Sequence, residues 1–275
     1  MLKDKLLLLI KSEKKVFNIA LIFILSVTGV LLIYNFSGLK EARIVNDLVE
    51  RNIVARGGLQ AWEKVTALRL TGHMDLGQDM SVPYVLDQKR PGKMCLEFVF
   101  NEQTAVQCSD GHSGWKIVPF RGRNTPQPMT KVEFRETADS ADLYGLLYNY
   151  ADRGTDIELV GHEMIEGRDA VKLKLTLEKG GVRWLFLDAE TALEIKAQAL
   201  RRVAGRERLV ETLYSDWQKQ DGVLIARRQE TTTEGDPKSH FLTVESVTIN
   251  PAIEDSRFTM PAAAASRELT TKKAS

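Results

Sequence analysis

The chain has 275 residues, of which 43% are hydrophobic and 27% are charged, and its formal net charge is +1. Five lysines and two acidic residues lie in the first 15 positions, so the rest of the chain carries a formal charge of −2. Such a balance gives no electrostatic reason to bind nucleic acid or an anionic surface. We therefore expect no nucleic-acid partner.

An uncharged apolar block runs from Val16 to Tyr34. At about 1.5 Å per residue, a helix of this length just crosses a hydrocarbon core of about 30 Å. The lysines that precede the block favour the cytoplasmic side for residues 1–15. We therefore predict a cytoplasmic stub, one transmembrane helix at 16–34, and a soluble part in the bacterial periplasm, held at the inner membrane.

A cleavable signal peptide is the alternative for this block, because it also combines lysines with an apolar core. The core here is long, and residues 35–40 contain no small-x-small cleavage site. An uncleaved anchor is favoured. Both alternatives export the rest of the chain.

Two helical regions are predicted after the anchor. Apolar residues within 44–53 have the spacing of one helix face, and Gly57-Gly58 ends that helix. A short helical turn follows at 59–65. The second region covers residues 133–150.

Most of the remaining chain alternates between apolar and polar residues, as Val171, Leu173 and Leu175 show. This period of two indicates strands with one apolar face. Strands in series with turns between them predict an antiparallel meander, and so long a sheet tends to curl. The predicted strands are 67–74, 84–89, 94–100, 104–108, 115–118, 156–160, 171–178, 182–187, 193–199, 209–214, 224–230 and 240–247.

The fold class is therefore mainly β with some helix (α+β). We expect a curled antiparallel sheet that forms an unclosed β-barrel, covered by helices and preceded by the transmembrane helix. One domain should extend from residue 39 to 261. The small and polar tail at 262–275 is predicted to be disordered.

The two cysteines lie on adjacent predicted strands. If Asn101-Glu102 is the turn between them, Cys95 stands directly opposite Cys108 in a non-hydrogen-bonded pair. Side chains approach most closely at such pairs, so a disulfide is geometrically possible. Two free, half-buried thiols are the alternative.

No catalytic motif is found. The histidines His73, His112, His162 and His240 are scattered and lack metal-ligand spacing. The sequence contains no G-x-S-x-G elbow and no glycine-rich phosphate loop. We therefore expect no metal, no cofactor and no enzymatic activity.

Two tryptophans lie on predicted apolar strand faces, Trp115 and Trp184. In a closed sandwich they would be core residues. In a curled sheet they would line a cavity, where large aromatic walls suit an acyl chain.

Four segments resemble a known family. The segments are Gly161–Leu175, Trp184–Glu194, Ala55–Leu59 with Trp62, and Asp110–Trp115. In this order they resemble the strand pair, the D-x-x-T turn, the A-x-G-G helix end and the D-G-x-x-G-W turn of bacterial outer-membrane lipoprotein carrier and sorting proteins, the LolA/LolB-like family. The resemblance extends from about Val54 to Arg228.

This resemblance implies an unclosed barrel whose apolar interior holds acyl chains without catalysis. It suggests an acylated lipoprotein or a lipid as ligand. The apolar block adds contact with the inner membrane through the N-terminal helix, and a membrane transport complex is a further candidate partner. Arg69 is the nearest candidate for the family's ligand-gating residue. The candidate lining residues are Leu96, Phe98, Trp115, Leu173, Leu175, Trp184 and Phe186.

The chain departs from the soluble carrier because it lacks both a clear cleavage site and a lipid-attachment cysteine. A tethered domain for lipoprotein sorting or lipid transfer fits better than a free shuttle. A sensor or scaffold that binds a protein partner is the alternative, favoured by a fully packed interior. An enzyme would need a Ser-His-Asp arrangement, for example around His162 or His240.

Overall fold

The computed structural model describes residues 40–75, 77, 80–178, 180–203 and 205–261. The chain divides into two compact units, Met1–Asp47 and Leu48–Ser275, and residues 40–47 of the first are helical. The predicted stub, transmembrane helix and tail lie outside the described residues. Among the described residues, no helix is both long and apolar enough to cross a membrane. The single domain at 39–261 stays a prediction.

The second unit contains one antiparallel sheet of 13 strands. Helix α1 covers residues 48–55, α2 covers Leu59–Glu63 and α3 covers Lys131–Ser140. Short 3-10 helices lie at Pro119–Arg121 and Asp255–Arg257. The strands are Ala67–Asp75 (β1), Ser81–Lys89 (β2), Lys93–Phe100 (β3), Gln103–Ser109 (β4), Gly114–Val118 (β5), Arg123–Pro128 (β6), Asp156–Ile165 (β7), Arg168–Thr176 (β8), Val182–Asp188 (β9), Glu194–Val203 (β10), Arg206–Gln220 (β11), Val223–Thr233 (β12) and His240–Ile249 (β13).

The sheet is a meander in two arms. Strands β1 to β6 form one arm and β7 to β13 the other, and they join where β1 pairs with β13. β6 and β7 are the two edges and do not pair with each other, so the described strands do not close into a barrel. The predicted mainly β meander with an open edge and few helices is confirmed.

Two local predictions need correction. Strand β6 was not predicted, because it contains Pro126 and Pro128. An edge strand tolerates proline, since one side of its backbone needs no hydrogen-bond partner. The helix predicted at 133–150 ends at Ser140. Beyond it, Asp142 Oδ1 accepts a hydrogen bond from the Tyr144 N–H, and Gly145 has a φ of +83°, so a turn replaces the helix.

The start of α3 follows from its sequence. The Thr130 hydroxyl accepts a hydrogen bond from the Glu133 N–H, and the Glu133 carboxylate accepts one from the Thr130 N–H. This reciprocal capping satisfies two donors that the first turn of a helix leaves free. α3 therefore begins at Lys131, above strands β3 to β5.

The sheet has two differently covered faces. We call the first the helix face, because Trp62 of α2 and Leu143 pack there against strand residues such as Leu70. We call the second the tail face, because Ile253 and Phe258 of the last described segment, residues 250–261, pack there. Residues directly opposite each other in the register share a face, and alternate residues along a strand change face.

Candidate functional site

Four of the predicted lining residues share the helix face. Leu96 and Phe98 stand opposite Leu86 and Tyr84 of β2. β13 joins the two arms on this face, since its Leu242 lies opposite Met74 of β1. The opposed positions that lead from β8 to β13 are Leu173, Leu185, Ala197, Thr212, Thr231 and His240. Leu173 and Leu175 are therefore on the same face as Leu96 and Phe98.

The other four candidates lie on the tail face. Arg69 stands opposite Asp87, and the same row leads across the sheet to Trp115. Trp115 Nε1 donates to the Phe258 carbonyl at 2.9 Å. On β9, Trp184 and Phe186 stand opposite lysines that alternate with the helix-face leucines.

The eight candidates therefore do not line one surface, and this is a correction of the expected site. The run from Trp184 to Leu187 is apolar on both sides of the strand. Its sequence alone could not decide which residues point towards the helices. A ligand-binding role stays a prediction for the four helix-face residues.

Arg69 is part of an ion-pair network rather than a group aimed into the helix face. Its Nε and Nη2 donate to the two carboxylate oxygens of Asp87 at 2.7 and 3.1 Å. Arg257 Nε adds a third hydrogen bond to Asp87 at 3.2 Å. The hydrogen bond to Asp87 raises the pKa of Arg69. The network fixes residues 250–261 to the sheet.

Cys95 and Cys108 occupy the same tail-face row. They stand opposite each other in the predicted register, and their sulfur atoms are joined. Both side chains are buried beneath the segment that contains Ile253 and Phe258. Oxidation of this pair in the isolated protein stays a prediction.

The part of the helix face beside α1 is filled by the chain's own side chains. A pocket between α1 and Tyr144, lined also by Trp62 and Tyr148, has a volume of about 10 Å³. This is room for about one water molecule. Leu143, Leu68 and Ile225 belong to the same core cluster as Trp62. No acyl-sized hollow is open at this pocket.

Arginines hold the filling segment, residues 141–150, in place. Arg56 Nη1 donates to the Tyr144 carbonyl at 2.8 Å, and Arg90 lies 3.7 Å above the Tyr144 ring. Arg153 Nη1 pairs with the Asp142 carboxylate at 2.7 Å. The segment is thus attached by a few polar and cation–π contacts at its rim.

Sequence reasoning missed two buried polar groups on the helix face, the Arg227 guanidinium and the Tyr84 hydroxyl. Arg227 is 8% exposed and Tyr84 is 2% exposed. Burial raises the pKa of Tyr84 above its usual range. Arg227 could have been found, because it continues the alternation of Val223 and Ile225, both of which lie in the helix-face core.

A separate polar cleft of about 520 Å³ lies beside the turn between β9 and β10. Its Asp188 carboxylate accepts backbone hydrogen bonds from Glu190 and Thr191 at 3.0 and 2.8 Å. Burial alone would raise the pKa of Asp188, but these bonds outweigh it and lower the pKa. Asp188 therefore stabilises the turn.

The histidines named for an enzymatic alternative lie on exposed pairs. His162 Nδ1 is 3.0 Å from Asp169 Oδ1, and His240 Nε2 is 3.9 Å from Asp236 Oδ2. Within the described part of the chain, no serine hydroxyl is hydrogen-bonded to either ring. The described residues also contain no group of three or more His, Cys, Asp or Glu that could hold a metal ion.

No protein-family model matches the sequence, and a search of curated proteins finds no match. The similar solved structures include the following three. A LolA superfamily protein from Nitrosomonas europaea has a TM-score of 0.54 at 12% identity, over 78% of this chain and 97% of its own. A DUF1329 family protein from Desulfovibrio piger has a TM-score of 0.53 at 13% identity, over 80% and 98%.

The third structure is described as an outer membrane lipoprotein-sorting protein domain from Vibrio parahaemolyticus. Its TM-score is 0.51 at 12% identity, over 78% of this chain and 95% of its own. Identities this low establish similarity of fold alone. The chain therefore has the fold of the LolA-superfamily and lipoprotein-sorting structures, and the resemblance predicted from its motifs is confirmed at the level of the fold.

Proposed function

We propose that this protein binds the acyl chains of a lipid or lipoprotein on the helix face, without catalysis. The observation that carries the proposal is the apolar core of the helix face, into which Leu143 packs from residues 141–150, a segment largely without regular structure. The likeness of fold to lipoprotein-sorting domains supports the same function. The N-terminal apolar block would tether the domain to the inner membrane, with the ligand-binding unit in the periplasm.

Binding would replace the filling segment with the ligand. An acyl chain would offer the helix-face core the same kind of apolar contact that Leu143 makes now. Burial of each CH₂ group stabilises the complex by about 0.8 kcal/mol. A chain of about 16 carbons could therefore offset the loss of the few polar and cation–π contacts that hold residues 141–150. The polar contacts of Arg56, Arg90 and Arg153 would then set the ease of opening.

In this proposal the tethered domain accepts cargo at the inner membrane and passes it on, in lipoprotein sorting or lipid transfer. The cargo would be an acylated lipoprotein or a lipid, and a membrane transport complex would be a natural partner for the release step. A tether suits this task because it keeps the binding face near the membrane from which the cargo comes.

Tryptophan quenching by brominated acyl chains tests the proposal. Bromine quenches nearby tryptophans, and Trp62 is in the helix-face core whereas Trp184 is on the tail face. The full chain in phosphatidylcholine nanodiscs should be quenched by dibromo-octadecanoate. The substitution Trp62→Phe should remove most of the quenching, and the matched substitution Trp184→Phe should leave it. Equal quenching in the two variants would contradict the proposal.

Binding of a protein partner is the second candidate function, and two observations favour it. The helix face is already filled beside α1. Strand β7 is an edge of the sheet that pairs only with β8 among the described strands, a position suited to strand addition. Val160 and Met164 on β7 are 52% and 66% exposed. A pull-down in which Met164→Lys abolishes capture, with no Trp62 quenching by any acyl chain, would favour this candidate.

A further inference from the structure

Arg227 is a buried cation without a partner among the described residues. It lies on β12 two residues after Ile225, a helix-face core residue, and is 8% exposed. Its guanidinium takes part in no hydrogen bond or ion pair with any described residue, and its buried Nε lacks an acceptor. Its neighbour Arg228 stands opposite Thr243 on the tail face, where it contacts the Phe241 ring.

This arrangement is unfavourable in the absence of a ligand, because the Arg227 Nε–H has given up its hydrogen bonds to water and has gained no acceptor. A lysine could escape by losing its proton, but the arginine guanidinium stays protonated. The same sheet satisfies another buried charge completely, since Asp87 accepts hydrogen bonds from both Arg69 and Arg257.

Tyr84 supplies a second donor in the same row of the helix face as Arg227. Its buried hydroxyl also has no hydrogen-bond partner among the described residues. Tyr84 stands opposite Gly72, which stands opposite Val244, the neighbour of Arg227 in the same row. Of the two residues between them in this row, Gly72 has no side chain and Val244 is a core residue, and the charges of both Glu245 and Arg227 act on the Tyr84 hydroxyl.

The chemistry that fits these two groups is an anion attached to an apolar chain. Arg227 has only donors, and Tyr84 is kept neutral by burial and so can donate as well. Tyr84 belongs to the helix-face core together with Val244 and Val247, and the register places Arg227 beside Val244. Phe98 continues the row directly beyond Tyr84, and Leu96 is next to it on the same face.

We propose that the helix face binds an amphiphile with one anionic head, a carboxylate or a phosphate. Its oxygen atoms accept hydrogen bonds from Arg227 and Tyr84, and its chain lies against Phe98 and Leu96. This inference rests on the proposed acyl-binding function and narrows its ligand class. A neutral acyl glycerol would leave the guanidinium unpaired and should bind less tightly.

The test compares a dibromo-octadecanoate with the matching dibromo-octadecanol, at alkaline pH, with the full chain in phosphatidylcholine nanodiscs. A hydrogen bond to a charged group contributes about 1.5–3 kcal/mol, so the acid should bind about 10- to 100-fold more tightly than the alcohol. Arg227→Met should remove this preference, and the matched control Arg228→Met should retain it. If Arg227→Met retains the preference, the inference is overturned.

A second ligand pair distinguishes the two sources of the anion. Brominated phosphatidylglycerol is compared with brominated diacylglycerol. In either pair, a preference for the anionic member that is lost in Arg227→Met supports the inference. A preference in the first pair identifies a fatty acid as the ligand, and a preference in the second pair identifies a phospholipid. Wild-type protein that binds both members of each pair equally overturns this inference and leaves the proposed function standing. Absence of Trp62 quenching by all four chains defeats the proposed function itself.

Thermal unfolding separates a binding role of Arg227 from a structural one. Without ligand, Arg227→Met should leave the unfolding midpoint unchanged or raise it, since an apolar side chain replaces an unpaired charge. Saturating acid should raise the midpoint of the wild type by more than that of the variant. A fall of more than about 5 °C in the ligand-free variant would make Arg227 a structural residue and overturn the inference.

Discussion

The two faces of the sheet differ in how completely their buried charged side chains are hydrogen-bonded. On the tail face, the fully buried Asp87 accepts three hydrogen bonds from Arg69 and Arg257. On the helix face, the buried Arg227 has no partner among the described residues. The tail face is thus complete in the isolated chain, and the helix face is not.

This difference distinguishes charged side chains that stabilise the fold from charged side chains that are available to a ligand. A charge whose hydrogen bonds are all satisfied by the fold stabilises a particular packing, here that of residues 250–261. A charge left unsatisfied in an apolar face marks a place where another molecule could complete the bonding. The same substitution should therefore have opposite consequences on the two faces.

The largest expected effect comes from Arg69→Met set beside Arg227→Met. Arg69→Met leaves the buried Asp87 carboxylate with Arg257 alone and should lower the free energy of unfolding by about 3 kcal/mol. Arg227→Met removes an unpaired charge and should leave it unchanged or raise it by about 1 kcal/mol. Urea denaturation measures both, and a loss of equal size in the two variants would remove the distinction between the faces.

Removal of the Cys95–Cys108 bridge should have the next largest effect. The two residues are 13 positions apart, and a loop of this length corresponds to about 3 kcal/mol of stability in the chain-entropy model. The double variant Cys95→Ala/Cys108→Ala should lose about that much in denaturation under oxidising conditions. Under reducing conditions the wild type should move towards the variant. Quenching of Trp62 by a brominated acyl chain should persist, because the bridge is on the tail face.

The smallest effect concerns Asp255, an exposed residue of the segment 250–261, which packs on the tail face. Hydrogen bonds from Lys89 and Lys93 lower the pKa of Asp255 to about 2. Because the folded-state pKa is below the ordinary value of about 4, the stabilisation is present above pH 4 and lost as the pH falls towards 2. Asp255→Asn should flatten this part of the stability–pH curve. A curve for Asp255→Asn parallel to that of the wild type throughout would contradict the assignment.

The strand-rich fold could be read from the sequence because period-two alternation is local. Strand β8 illustrates this, since its Leu173 and Leu175 alternate with lysines, and both leucines are buried as the pattern requires. The opposition of Cys95 and Cys108 was also predictable, since a two-residue turn fixes the register of a hairpin.

The site was less predictable, because the sequence shows which residues share a face of the sheet but not which face the helices cover. Arg69 alternates with Leu68 and Leu70, so it must face the other side, but only the packing of Trp62 and Leu143 shows which side carries the helices. Two consecutive arginines, Arg227 and Arg228, suggest a solvent-exposed position. Their alternation with Ile225 shows that one of the two arginines shares a face with the core, yet only the three-dimensional structure shows that no described residue pairs with it.

Hydrogen exchange with and without dibromo-octadecanoate tests the central claim, that a ligand enters the helix face by replacing the filling segment. The full chain in nanodiscs should show faster exchange in residues 141–150 when the ligand is bound, because Arg56 and Arg90 lose their contacts with Tyr144. Exchange on the tail face, in residues 250–261, should not change. Faster exchange at 250–261 with unchanged exchange at 141–150 would contradict the account.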